Sequence, residues 1–251
     1  MMFMERRFQI GEIAKMFDIA SSKLRYWESQ GILAGCRNKK NGYREYDVSD
    51  LMTISDVIFY QSLGLSLKHI SEIELLNLPD HNTLCQQQMA ELQKQQQEIE
   101  GRIRKLQWHI DALNEITFLR EKPYTLETME TLCIVPFELI EIEKLRQYIE
   151  NPYLYSRVQH TKTLPAERRG LAVPTCEREQ YPEILWHGSG TFAVCLMREQ
   201  ICPGYPNDLQ YHMEQIQKSH QTGYIISRFL TCGAENGIPY DFYKTYIEIT
   251  E

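Results

Sequence analysis

The sequence predicts three parts: a mainly helical N-terminal part carrying a basic hairpin, one long heptad helix, and an α+β C-terminal part. Three observations carry this. Short apolar stripes at steps of three and four recur before residue 78, interrupted by the pair Asn41-Gly42. From Asn82 to Arg120 a seam of apolar residues repeats in sevens. After Pro123 the texture changes to alternating, β-branched runs separated by two helical patterns.

Taken in order, Ile10, Ile13, Ala14 and Phe17 mark a first helix, and Asp18-Ile19-Ala20 breaks it. A second helix is expected from Ser21 to about Gln30, with Leu24 and Trp27 facing inward and Gly31 ending it as a left-handed cap. Asn41-Gly42 is the preferred pair for a two-residue hairpin turn, because both central residues need positive φ. Arg37, Lys39 and Lys40 precede that pair, and Tyr43, Arg44 and Tyr46 follow it, so cations and phenols gather on an exposed loop. Another helix is expected from Asp47 to Leu63. Beyond Gly64, Ser66 caps one more, in which Leu67, Ile70 and Ile73 face inward. Two short helices, a three-residue turn and a following hairpin make a winged helix-turn-helix pattern.

The long segment has Met89, Leu92, Ile99, Ile103, Leu106, Ile110 and Leu113 in its seam, with Gln96 filling one slot. No second heptad segment exists to pair with it, so a coiled coil between two copies is expected, with Gln96 helping to fix register. Strands are then expected near Thr131–Phe137, Gly170–Thr175, Glu183–His187, Thr191–Arg198, Tyr224–Thr231 and Asp241–Ile249. Helices are expected near Ile140–Ile149 and Asn207–His220. The order strand, helix, strand, strand thus occurs twice, giving two β-α-β-β units. The expected domains are 1–78, 79–121 and 122–251.

Bulk properties narrow the chemistry. At 251 residues the chain is long enough for about two domains. Its net charge of -7 speaks against indiscriminate coating of nucleic acid, but the charge is unevenly placed. Ser21 to Arg44 holds six basic residues against one acid, Glu28; Glu121 to the end holds 12 Lys plus Arg against 18 Asp plus Glu. The seven cysteines are odd in number and form no C-x-x-C pair, which reads as free thiols in a reducing cytosol. No segment approaches a membrane span and the N-terminus lacks a secretory pattern, so a cytoplasmic location is expected. Neither a nucleophile–base spacing, an H-E-x-x-H motif nor a glycine-rich phosphate loop occurs. Cys195, His187 and His212 read as packing residues. No enzyme activity and no cofactor are expected.

The runs Ile10-Gly11-Glu12-Ile13-Ala14-Lys15, Lys23-Leu24-Arg25-Tyr26-Trp27-Glu28, Gly31-Ile32-Leu33, Asn41-Gly42-Tyr43-Arg44-Glu45-Tyr46 and Leu63-Gly64-Leu65-Ser66-Leu67-Lys68-His69-Ile70 resemble the MerR family of bacterial transcription regulators. The long helix suits that family's antiparallel dimerisation helix. The C-terminal part resembles, more loosely, the GyrI-like effector-binding domain of drug-sensing members, through Gly190-Thr191-Phe192-Ala193-Val194 and Tyr246-Ile247-Glu248-Ile249. Four positions depart from the pattern: Asp18 stands for Gly in the turn, Ala20 for an N-cap Ser, Gly35 for Pro before the hairpin, and Glu248 for Pro in the last strand.

The resemblance implies a homodimer that binds double-stranded promoter DNA and bends and untwists the spacer to realign it for RNA polymerase. It implies DNA contacts from Ser21, Ser22, Lys23, Arg25 and Tyr26 on the second helix. Further contacts come from Arg37, Lys39, Lys40, Asn41, Gly42, Tyr43 and Arg44 in the hairpin, and from Lys68. The effector expected from the aromatic, acidic C-terminal part is a small lipophilic aromatic compound, cations included, bound near Trp186, Tyr243, Tyr246 and Glu248. A metal- or thiol-sensing regulator is the alternative; Cys85 sits like the first ligand of such relatives, but only Cys133 follows near the helix end, and a closed thiolate site needs more. A hydrolytic or protein-docking C-terminal domain is the remaining alternative.

Overall fold

The computed structural model describes residues 6–38 and 42–250. They divide into two compact units, one ending at Ile99 and the other beginning at Glu100.

In the first unit, β1 (Phe8–Gln9) leads into α1 (Ile10–Met16), and α2 (Ser21–Ser29) follows a tight turn. Asp18 takes φ +51 in that turn, the left-handed geometry that Asp tolerates better than most residues. Ala20 occupies the N-cap of α2 and supplies no side-chain bond, a weak cap costing about 1 kcal/mol against Ser. Packing compensates: Ile13, Leu24 and Trp27 are fully buried in one cluster with Tyr46, Ile54 and Val57. Strands β2 (Cys36–Arg37) and β3 (Arg44–Tyr46) pair antiparallel, and β1 joins β3 to complete a three-stranded sheet. Helix α3 (Val48–Ser62) starts at Asp47, whose carboxylate accepts from the Ser49 and Asp50 N–H groups. Helix α4 (Leu67–Glu72) is capped by Ser66 Oγ, which accepts from His69 N–H.

At the described ends of the hairpin, Arg37 faces Arg44, the Asn38 N–H donates to the Tyr43 carbonyl, and the Gly42 N–H donates to the Asn38 carbonyl. The turn expected at Asn41-Gly42 falls in part on Asn41, outside the described residues. Gly42 alone among the described loop residues carries the positive φ, at +74°. Lys39, Lys40 and Asn41 lie outside the described residues.

Helix α5 (Leu78–Glu121) runs for 44 residues, about 66 Å at 1.5 Å per residue. Pro79 sits in its first turn, where a missing N–H costs nothing, so the helix begins before Asn82. The heptad seam from Met89 to Leu113 is exposed at every apolar position, from 46% at Leu113 to 62% at Leu106. No helix is long and apolar enough to cross a membrane among the described residues.

The second unit is a six-stranded sheet closed into a barrel. Its strands are β4 (Thr125–Pro136), β5 (Tyr155–His160), β6 (Glu167–Val173), β7 (Trp186–Gln200), β8 (Gln221–Glu235) and β9 (Ile238–Thr250). Their spatial order is β4-β6-β5-β8-β9-β7, with β4 pairing β7 to close the ring. Helix α6 (Ile142–Glu150) follows β4 and α7 (Leu209–Ile216) follows β7, so the order β-α-β-β does occur twice. Its membership differs from expectation. β5 stands where no strand was expected, Glu183 and Ile184 precede β7, and one long β7 replaces two predicted strands.

Alternation along β7 assigns its two faces. Phe192, Val194 and Leu196 pack with Ile226, Phe242 and Tyr246, and the last turns of α5 lie on them through Ala112, Ile116 and Leu119. Ala193, Cys195 and Met197 pack instead against Leu209, Met213 and Ile216 of α7. The end of α5 therefore has a local core in the barrel, besides the heptad seam expected to pair with a second copy. Its i, i+4, i+7 stripe is separate from the heptad seam.

Candidate functional site

The basic face of the first unit is built on α2. Burial of Leu24 and Trp27 turns Lys23, Arg25 and Tyr26 outward, and all three are exposed, as is Ser22, while Ser21 is half-buried. Lys23 Nζ lies 5.2 Å from the Trp27 ring centre, so its stem runs along the indole. Arg37, Gly42 and Tyr43 are exposed beside the hairpin loop, and Lys68 is exposed in the first turn of α4.

Arg44 is placed differently from a tip residue. Its Nε donates to Glu28 Oε2 at 2.5 Å, and the hydroxyl of the buried Tyr46 donates to Glu28 Oε1 at 2.7 Å. Burial first, and then the Glu28 carboxylate, push the Tyr46 phenol far above its ordinary range, so it stays a donor. Glu28 thus ties α2 to β3. Gly35 makes room: with φ at +28°, a Cβ there lies 2.6 Å from Glu28 Oε1. The sequence signal for this anchor is the lone acid inside a basic stretch.

In the second unit, the four residues expected to hold a ligand are not gathered. Tyr243 and Tyr246 have opposite parity on β9, so they face opposite sides of the sheet. Trp186 is a core residue, edge-on to Phe192 with ring centres 5.9 Å apart. Glu248 accepts from the Tyr224 N–H at 2.8 Å, and its carboxylate lies over Gly223, so a Cβ there displaces it.

Tyr243 instead borders a cavity of about 710 Å³, which sequence reasoning missed. One wall is an aromatic triad of Phe137, Tyr148 and Tyr155, with ring centres 5.7–6.4 Å apart. Phe229 and Tyr243 form another, at 5.7 Å, and Tyr205 adds a phenol near the rim. The polar groups are Glu138, Glu167, Glu199 and Asp241 against Arg157 and Arg169.

At the base, Arg157 forms a fork with Glu199: Nη1 donates to Oε2 and Nη2 to Oε1, both at 2.6 Å. The same Nη2 donates to Tyr243 Oη at 2.5 Å, and the guanidinium stacks 4.3 Å from the Tyr243 ring centre. Burial works against the arginine's charge, but the Glu199 bonds and surrounding negative charge outweigh it and hold it protonated. Asp241 lies across from Glu199 on β7. Burial, and then the nearby Glu199 charge, raise its carboxyl above the usual carboxylate range. The result is a ring-lined recess with a fixed ion pair at its floor and one carboxylate that resists ionisation.

The helix-turn-helix with its basic outer face defines a DNA-binding transcription regulator. The model described as MerR HTH family regulatory protein matches residues 8–75. The HTH-type transcriptional regulator ZntR of Escherichia coli (strain K12) is 35% identical over 101 residues, covering 40% of this chain and 71% of that protein. The chain belongs to the MerR family. A probable heavy metal-dependent transcriptional regulator of Haemophilus influenzae is 29% identical over 109 residues, 40% of this chain and 84% of its own. Among solved structures, the N-terminus of MtaN, the Bacillus subtilis multidrug transporter activator, is 22% identical over 40% of this chain and 94% of that one, with a TM-score of 0.36. An EcmrR–DNA complex is 15% identical over 97% of this chain and 100% of that one, with a TM-score of 0.37. At those scores neither likeness bears on function.

Proposed function

We propose that this chain works as a homodimer that grips promoter DNA and distorts it for RNA polymerase when a lipophilic aromatic cation fills the recess of the second unit. The observation that carries the sensing half is the recess itself. Six aromatic side chains surround four carboxylates and two guanidiniums, and burial and Glu199 raise the proton affinity of one of those carboxylates, Asp241. Rings supply stacking and cation–π attraction, and a desolvated carboxylate rewards a positive charge far more than it does in water. A volume of about 710 Å³ suits a drug-sized compound. Among the described residues no three His, Cys, Asp or Glu side chains gather as a metal site requires.

Asp241 provides the test. Its folded pKa is raised, so the proton is held more tightly in the folded protein, and this stabilising contribution is lost as pH climbs from about 4. A bound cation reverses that preference. Calorimetry with phenyltrimethylammonium is expected to show affinity rising with pH through the carboxyl's titration, while tert-butylbenzene binds independently of pH. Asp241→Asn is expected to abolish the pH dependence and weaken the cation roughly tenfold, about 1.4 kcal/mol. Equal losses for the cation and its neutral isostere remove Asp241 from recognition.

On the DNA side, we propose that the outward residues of α2 read the duplex and that the hairpin cations and Lys68 hold its phosphates. Arg44→Ala is expected to weaken cognate and unrelated DNA alike and to lower the slope of log affinity against log salt by about one. Because Arg44 also braces Glu28, Arg44→Lys separates the roles: it keeps the charge and most of the salt slope. Loss confined to the cognate sequence contradicts phosphate contact.

A further inference from the structure

A second cavity, of about 350 Å³, lies on the opposite face of β8 and β9 from the recess, where the end of α5 meets the barrel. Phe229 borders both cavities at a register irregularity of β8, and alternation along β9 separates their other walls. Tyr243 faces the recess, while Lys244 and Tyr246, in the next register positions of the other face, border this back cavity with Arg228 and Leu230. Trp108 of α5 and Tyr153 complete its aromatic walls. Tyr153 is held in place by the hydrogen bond between its hydroxyl and His109 Nδ1, 2.7 Å apart.

The two cations of this cavity differ in their partners. Lys244 Nζ sits 2.7 Å from Glu115 and 2.9 Å from Glu127, so its charge is met twice over. Arg228 meets a neutral group: Nη2 donates to the Tyr153 carbonyl at 3.3 Å. Its Nε is buried and has no hydrogen-bond partner among the described residues. Arg228 forms no ion pair among the described residues, and a charged guanidinium bordering a cavity is best satisfied there by an anionic oxygen. The aromatic walls call for a ring, and the volume, near the low end for ligand cavities, limits it to one or two rings.

We infer that the back cavity is a second ligand site, separate from the cation recess, that binds a small planar aromatic carboxylate. The ring lies among Trp108, Tyr153 and Tyr246, and the carboxylate accepts from Arg228. The exposed Asp111 on α5 is screened by solvent, and Glu115 is neutralised by Lys244, so neither cancels the pull of Arg228.

The full-length protein is titrated with 1-naphthoate, with 1-naphthylmethylamine and 1-naphthamide as controls, by calorimetry and tryptophan fluorescence. Naphthoate is expected to bind at least tenfold more tightly than either control and to change the emission of Trp108, a change that vanishes in Trp108→Phe. Arg228→Gln is expected to lose at least tenfold in naphthoate affinity, with circular dichroism unchanged. Asp241→Asn is expected to leave naphthoate affinity unaltered, since that residue faces the other cavity. Preferential binding of the amine, naphthoate affinity indifferent to Arg228→Gln, or a dependence on Asp241 each overturns the assignment. If Arg228→Gln does not fold, Arg228→Lys, which keeps the charge but not the Nε position, replaces it and is expected to show the same loss.

Discussion

Arg157→Ala is expected to cost about 3–5 kcal/mol of folding stability, the largest loss from any single truncation in the second unit. Glu199 is 4% exposed and Arg157 9%, so removing the guanidinium strands a carboxylate that water scarcely reaches. The Tyr243 hydroxyl loses its donor at the same time. Replacing both members, Arg157→Met with Glu199→Leu, is expected to recover most of the loss, because the pair as a whole is not a strong source of stability. Urea unfolding of the full chain, followed by the β-sheet signal, measures both. A single-variant cost under about 1 kcal/mol shows that water enters the recess and screens the pair.

The second large effect concerns the heptad seam. Ile103→Asp combined with Leu106→Asp places two charges where each protomer of the proposed dimer presents apolar knobs. Both positions are exposed in the single chain, at 61% and 62%, so folding of each protomer is expected to survive. Sedimentation is expected to show a monomer. Affinity for a two-half-site operator is expected to fall by roughly 10²–10⁴, the advantage that linking two binding modules confers. A variant that still sediments as a dimer, or still binds the full operator with its original affinity, refutes the coiled-coil reading.

These expectations differ in how far they were readable from residue order. The helix-turn-helix and the length of α5 were readable because local periodicity states them directly: Ile13, Leu24 and Trp27 fall on inward faces, and the seam holds its 3-4 step from Met89 to Leu113. The second stripe, Ala112, Ile116 and Leu119, obeys the same period, but what it lies on is set by strands far away in sequence. Strand β5 escaped notice for an electrostatic reason. Tyr155-Ser156-Arg157-Val158-Gln159-His160 looks solvated, yet Ser156 and Arg157 are buried, Arg157 because Glu199 meets it from β7.

The hairpin's flanks are held by partners that local preference does not name: Phe8 pairs with Tyr46, and Glu28 holds both Arg44 and Tyr46. The recess was hidden similarly. The alternation of β9 was plain, but which face opens onto a cavity depends on Phe137, Tyr148 and Tyr155, roughly ninety residues upstream.

The bond network around Glu28 limits how this regulator can be retargeted. Outward positions of α2, from Ser21 to Tyr26 apart from Leu24, are exchangeable in principle, since they leave the cluster beneath them untouched. Transplanting a whole foreign helix is another matter. Unless the graft supplies a carboxylate at position 28, Arg44 and Tyr46 of β3 lose their bonds to α2, and β3 is held by its strand partners and the buried Tyr46 alone. With α2 as the proposed reading helix, swaps of single surface letters, not whole cassettes, keep that brace intact.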